Sequence, residues 1–117
     1  MKEVHFYKTE SGDCPIKQFL KSLTGKQAQK VVWVLQLFED APTPPSQYFN
    51  KLANAEDIWE ITVPIGRDFF ELLGFEDEKL MILNHAFQNI TQKNQLQEEI
   101  KIAESRKQDY FNRKKSL

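Results

Sequence analysis

Residues 58–93, IWEITVPIGRDFFELLGFEDEKLMILNHAFQNITQK, contain three apolar segments separated by polar and turn-forming residues. Segments of this length and composition predict β-strands. We expect the strands at about Asp57–Val63, Asp68–Phe75 and Lys79–Phe87. The residues between them, Pro64-Ile65-Gly66-Arg67 and Glu76-Asp77-Glu78, suit short turns. We therefore predict a meander of antiparallel strands, followed by a polar segment that leads into a helix.

The residues before this meander predict one strand and two helices. A first strand is expected at Val4–Lys8, followed by a turn in which Asp13 can cap a helix. Apolar residues at helical spacing predict that this helix runs up to Thr24-Gly25, and they are Ile16, Phe19, Leu20 and Leu23. A second stripe predicts a helix at about Lys26–Asp40, and it consists of Val31, Val34, Leu35 and Phe38. Trp33 lies off this stripe, so we expect it at the rim of the core rather than as a stacking platform.

A loop and a final helix complete the chain. Residues 41–46 contain three prolines, which cannot continue a helix. The last helix is expected at about Gln95–Asn112, with acidic residues near its start and basic residues at its end, as the helix dipole favours. The predicted order is β-α-α-β-β-β-α, an α+β fold. A chain of 117 residues fits one domain, 1–117, with one core.

The composition limits which kinds of site and which classes of protein we expect. The chain has one cysteine, Cys14, and two histidines far apart in sequence, so no internal disulfide or zinc-ligand spacing is visible. The residues give no reason to expect a metal or another cofactor. Residues 1–7 lack the apolar core of a signal peptide, and no apolar run has the length of a membrane span. We therefore expect a cytoplasmic protein without a membrane partner.

Charge is unevenly distributed along the chain. The net charge is −1, but residues 31–90 carry three basic residues against ten acidic ones. Residues 1–30 and residues 91–117 each carry a charge of +3. The whole chain is therefore not built for strong nonspecific binding of nucleic acid, although patches at its two ends can bind phosphate.

Three groups of residues could carry chemistry. His85, near the end of the last strand, could transfer protons, or it could pack against the last helix and bond to backbone. The polar run Gln88–Gln95 could hold a phosphate at a helix start, while Thr91 or Asn94 could equally be a plain helix cap. Lys51 and Arg67 are isolated cations in the acidic segment, where they could offset neighbours or neutralise a phosphate.

Over about residues 2–105, the order and spacing of several short motifs resemble those of a known family. After the first strand comes Gly12-x-x-Pro15-Ile16-x-x-Phe19-Leu20-x-x-Leu23, and Lys51-Leu52 precedes Ile58-Trp59-Glu60-Ile61. The third motif is Leu83-x-x-Ala86-Phe87-x-x-x-Thr91-Gln92-Lys93, which leads into an acid-bearing helix. Together these motifs resemble the RelE/ParE toxin superfamily, and within it the phage-derived, HigB-like toxin group.

The resemblance implies a RelE-like fold, in which an N-terminal strand and a helical hairpin pack on a small antiparallel sheet. It implies the toxin component of a type II toxin–antitoxin system, whose partners are a helix-turn-helix antitoxin, the ribosome and mRNA. Such toxins cut mRNA without a metal, as the 2′-hydroxyl attacks the adjacent phosphate. On this basis Lys51, Thr91 and Lys93 are expected to contact RNA, and Arg67, His85 and Lys93 are the candidate catalytic residues.

The sequence departs from the family pattern at several basic positions. Thr62 stands where the family usually has an arginine, and a second arginine is usual near Glu71. Asn89-Ile90 replaces a lysine pair, and Gln95 stands near an expected proline. Two alternatives therefore stay open: a catalytically inactive binding module that serves as antitoxin partner or phage-derived regulator, and a ParE-like gyrase inhibitor.

Overall fold

The computed structural model describes residues 2–88 and 93–115, except for the side chain of Lys93. In this part of the chain five strands form one sheet, with helices on both of its faces. The strands are β1 (Glu3–Phe6), β2 (Phe49–Lys51), β3 (Trp59–Ile65), β4 (Asp68–Asp77) and β5 (Leu80–Gln88). The helices are α1 (Pro15–Lys21), α2 (Gly25–Asp40) and α3 (Lys93–Lys115). The predicted α+β class is confirmed.

The antiparallel meander is confirmed as β3, β4 and β5, with ends shifted by about two residues. A two-residue turn, Gly66-Arg67, joins β3 to β4, and the φ of +62° at Gly66 suits glycine. Strand β4 continues through Asp77, so the second turn contains only Glu78-Lys79. The first turn sets the register of the hairpin, in which Thr62 lies opposite Glu71.

The expectation of a purely antiparallel sheet is wrong. The strand order is β1-β5-β4-β3-β2, and β1 pairs in parallel with β5, with Glu3 opposite Leu80. The sheet is therefore mixed, because α1 and α2 carry the chain over one face before it enters the opposite edge. The added edge strand β2 pairs with β3 and was not predicted, since it has only three residues.

The two N-terminal helices differ from expectation at their junction. The cap of α1 is the buried Cys14, not Asp13, whose carboxylate instead accepts a hydrogen bond from the Ser11 hydroxyl. Helix α1 ends at Lys21, and Thr24 caps the next helix rather than ending the first. The Thr24 hydroxyl accepts a hydrogen bond from the Gln27 backbone amide, and the Gln27 side chain accepts one from the Thr24 backbone amide. Together these two bonds form a complete capping box.

Two hydrophobic cores lie on opposite faces of the sheet. The first lies under α1 and α2, and its buried members include Ile16, Val31, Val34, Leu35, Phe38, Ile61, Val63, Phe70, Leu72 and Leu83. The second lies under α3 and includes Tyr7, Ile58, Leu73, Phe75, Ile82, Phe87, Ile100 and Ala103. Trp33, expected at the rim of the core, is 48% exposed and contacts Tyr48 edge-on.

Helix α3 is longer than predicted and is anchored near its C-terminal end. The Tyr7 hydroxyl donates to Asp109 at 2.6 Å, and the Tyr110 hydroxyl donates to the buried Asp77 at 2.7 Å. Arg113 also donates to the Lys8 carbonyl oxygen at 2.5 Å. These bonds tie α3 to β1 and to the end of β4. Within the described residues, no helix is long and apolar enough to cross a membrane.

Candidate functional site

Two glutamates lie side by side on the face of the sheet that carries α3. Side chains alternate along a strand, and Ile61 and Val63 point into the core under α1 and α2. Glu60 and Thr62 therefore point to the opposite face. By the same alternation on β4, Glu71 joins them, and the Thr62 hydroxyl donates to its carboxylate at 2.8 Å.

The environment of these glutamates favours their protonated forms. Burial raises the pKa of Glu71 to about 7, and the negative charge of Glu60 adds to the rise, against the hydrogen bond from Thr62. Burial also raises the pKa of Glu60, and the neighbouring Glu71 carboxyl opposes this rise. Two carboxyl groups this close resist carrying two charges at once. Glu71 can therefore accept or release a proton near neutral pH.

The glutamate pair lies on the part of this sheet face that β3 and β4 form. Helix α3 packs against β4 and β5. Glu60, Thr62 and Glu71 are half-buried, and Phe69 on the same face is 51% exposed. As judged from residues 2–88 and 93–115, the two carboxyls are therefore partly accessible to a ligand.

A bulge in β5 sets the position of His85. Leu73 pairs with His85 and the next residue, Gly74, pairs with Leu83, so Asn84 is an extra residue in the strand. The Asn84 side chain donates to the Ala103 carbonyl of α3. His85 follows and lies against the same helix, two strands away from Glu60.

The half-buried His85 is held by two charged side chains of α3. Its Nε2 is hydrogen-bonded to Glu99, and its Nδ1 lies 3.1 Å from an Arg106 nitrogen. Because a guanidinium can only donate, Nδ1 must be the acceptor, so the ring is neutral and Nε2–H donates to Glu99. Burial lowers the pKa of His85, although the hydrogen bond to Glu99 opposes this. The expected packing against the last helix is observed, with side-chain partners rather than backbone.

Lys51 and Arg67 lie at other places in the fold than the glutamates. Lys51 lies on the edge strand β2, where it is paired with Asp57 at 2.8 Å. This carboxylate raises the pKa of Lys51. Arg67 lies in the exposed turn between β3 and β4. Thr91 lies outside the described residues, and so does the side chain of Lys93.

From the sequence, Glu71 stood out only as a residue near a position where the family that the chain resembles usually has an arginine. Its pairing with Glu60 was not predicted. A signal for the pair was present, since the tight turn at Gly66-Arg67 fixes the register of β3 and β4. That register, with strand alternation, places both carboxyls on one face.

The arrangement suits proton transfer and the binding of cationic groups. No group of three or more histidine, cysteine or acidic side chains that could hold a metal occurs in residues 2–88 and 93–115. Negative charge on the pair repels a phosphate, and it does so less when Glu71 is protonated.

We compared the chain with models of protein families, with curated proteins and with solved structures, and none of them matched.

Proposed function

We propose that this chain is the toxin component of a type II toxin–antitoxin system and acts as a ribosome-dependent mRNA endoribonuclease. The motif order that resembles the HigB-like group supports the class of protein. The single observation that carries the chemistry is the half-buried Glu71 carboxyl, which accepts a hydrogen bond from the Thr62 hydroxyl at 2.8 Å beside Glu60; burial raises its pKa to about 7. A general base is most effective when its pKa lies near the working pH.

In this proposal Glu71 accepts the proton of the 2′-hydroxyl. The 2′-oxygen bonds to the adjacent phosphorus while the bond from phosphorus to the 5′-oxygen breaks. The leaving 5′-oxygen takes a proton from water, which yields a cyclic phosphate and a 5′-hydroxyl end. The hydroxyl of Thr62 keeps the Glu71 carboxylate oriented by its 2.8 Å hydrogen bond.

Protonation also reduces the electrostatic cost of bringing RNA to this face. Two ionised carboxyls would repel each phosphate, but the raised pKa of Glu71 keeps the pair below its full charge of two at neutral pH. Lys51 and Lys93 stay the candidates for phosphate contact, and Arg67 for charge stabilisation. His85, held by Glu99 and Arg106, acts in this proposal by fixing the β5 end of the face.

The test is cleavage of mRNA on purified translating ribosomes across a range of pH. We expect the rate to rise with pH through about 7 and then level off, because only ionised Glu71 accepts a proton. Glu71→Gln should lower the rate by about 100-fold or more, the usual contribution of a general base. Glu98→Gln, an exposed change on α3, is the matched control and should cut at the wild-type rate. Equal rates for Glu71→Gln and wild type would contradict the proposal.

A second candidate is a binding module that keeps the fold and lacks nuclease activity. The observation in its favour is the scatter of the cations: Lys51 is paired with Asp57 at one sheet edge, and Arg67 lies in a turn. Folded protein that binds its helix-turn-helix antitoxin but cuts no mRNA would establish this candidate. Growth arrest with DNA damage and intact mRNA would instead indicate the gyrase-inhibitor alternative.

A further inference from the structure

The outer side of α1 and α2 has a charge opposite to that of the glutamate face. Helices α1 and α2 contain four lysines and two acidic residues, Glu39 and the exposed Asp40, at the end of α2, and the Glu39 carboxylate accepts a hydrogen bond from the Val4 amide. Lys17 and Lys21 are exposed on α1, Lys26 is exposed on α2, and Lys30 is half-buried there. We call Lys26, Lys30, Val32 and Trp33, which lie along the exposed side of α2, the basic helical face.

Two large apolar side chains are exposed within this face. Val32 is 43% exposed and Trp33 is 48% exposed, although both belong to a helix whose other side is fully buried. At 100° per residue, Trp33 lies nearly opposite the buried stripe and two turns beyond Lys26. Exposed tryptophan beside an aliphatic residue is typical of the centre of a protein-binding surface.

The contacts of Trp33 favour a protein partner over nucleic acid. The Lys30 ammonium lies 4.6 Å from the centre of the Trp33 ring, over the face on which a base would stack. Tyr48 meets the same ring edge-on, with the ring planes at 89°, and holds it in place. Val32 adds a surface that suits an aliphatic side chain and gives a base little to stack on.

We propose that the basic helical face docks an acidic amphipathic segment of a partner protein. The apolar side chains of that segment would pack on Val32 and Trp33, and its carboxylates would pair with the surrounding lysines. This surface lies on the opposite side of the sheet from Glu60 and Glu71, so the inference goes beyond the proposed nuclease. Either can therefore fail without the other.

The test uses the full chain and a synthetic helical peptide, with leucine at i, i+3, i+4 and i+7 and glutamate elsewhere. The two tryptophan indole N–H signals in a ¹⁵N-correlated NMR spectrum are the readout, and Trp33→Phe assigns them. Trp59 is the internal reference, because its indole N–H donates to Glu76 at 2.8 Å on another part of the molecule. We expect the peptide to shift the Trp33 signal, to leave the Trp59 signal in place, and to bind more weakly as salt is raised.

Matched charge variants show whether the lysines of the basic helical face contribute to peptide binding. Lys26→Gln with Lys30→Gln should weaken peptide binding by about ten-fold, the loss expected for two exposed charge pairs. Lys79→Gln with Lys101→Gln removes the same charge from exposed sites elsewhere and should change binding by less than about two-fold.

Three results would overturn the inference. The first is an unshifted Trp33 signal at millimolar peptide. The second is a shift of the Trp33 signal by single-stranded RNA at a lower concentration than the peptide requires, which would make this a nucleic-acid-binding surface. The third is a Trp33 signal that shifts with concentration of the chain alone, which would make the occupant a second copy.

Discussion

Replacing Glu71 with glutamine should change how stability depends on pH. In the unfolded chain the carboxyl has its ordinary pKa of 4.5, and in the folded chain burial raises the pKa to about 7. The folded state therefore holds a proton more tightly than the unfolded state does. Stability must fall as pH rises from about 4.5 to about 7, and the loss is complete above that range.

The size of the effect follows from the same two values. Each unit of difference between the folded and the unfolded pKa corresponds to about 1.4 kcal/mol. A group fully shielded from solvent with these two pKa values would therefore lower the free energy of unfolding by about 3 kcal/mol. Glu71 is only half-buried, and water screens it, so we expect about 1–2 kcal/mol. Glutamine keeps an oxygen for the Thr62 hydroxyl and carries no charge at any pH.

Urea unfolding followed by tryptophan fluorescence at pH 4.5 and pH 8 measures this difference. Glu71→Gln should match wild type near pH 4.5 and exceed its stability by about 1–2 kcal/mol at pH 8. Glu98→Gln should follow wild type at both pH values. A stability difference between Glu71→Gln and wild type that is the same at both pH values would refute the reasoning.

Three further substitutions test the packing and the anchors. Gly74→Ala should destabilise the fold by about 3 kcal/mol or more, because a Cβ there would lie 2.5 Å from the Ile82 carbonyl oxygen; a midpoint of urea unfolding close to wild type would contradict this. Thr24→Ala should cost about 1 kcal/mol by the loss of the α2 cap, measured by thermal unfolding, and serine at this position should restore most of it. Tyr110→Phe should cost about 1 kcal/mol and increase hydrogen exchange in the last turns of α3, because the bond to Asp77 is lost; unchanged exchange would show that this bond does not anchor the helix.

The sequence predicted the elements better than their arrangement. Alternation and apolar stripes located the meander and α2, because local spacing determines both. They could not show that β1 pairs in parallel with β5, because the sequence of a four-residue strand does not indicate which strand it pairs with. The bulge at Asn84 was also hidden, because it depends on the Asn84 side chain reaching the Ala103 carbonyl of α3, a contact between distant residues.

The candidate site was predictable in part. The resemblance pointed to basic residues, but Lys51 lies on the edge strand β2, three strands from the strand that carries His85, and Arg67 lies in the turn between β3 and β4. The raised pKa of Glu71 depends on burial and on the neighbouring Glu60, neither of which is visible in one strand alone. Thr62 and Glu71, the two positions at which the sequence departs from the pattern it resembles, are hydrogen-bonded to each other across β3 and β4.

The most direct test of the proposed function is to induce the chain in a bacterial host and map mRNA 5′ ends, with wild type and Glu71→Gln side by side. We expect growth arrest and new 5′ ends inside translated reading frames for wild type, and neither of these for Glu71→Gln at equal protein level. Normal growth and an unchanged set of 5′ ends from folded wild-type protein would contradict it.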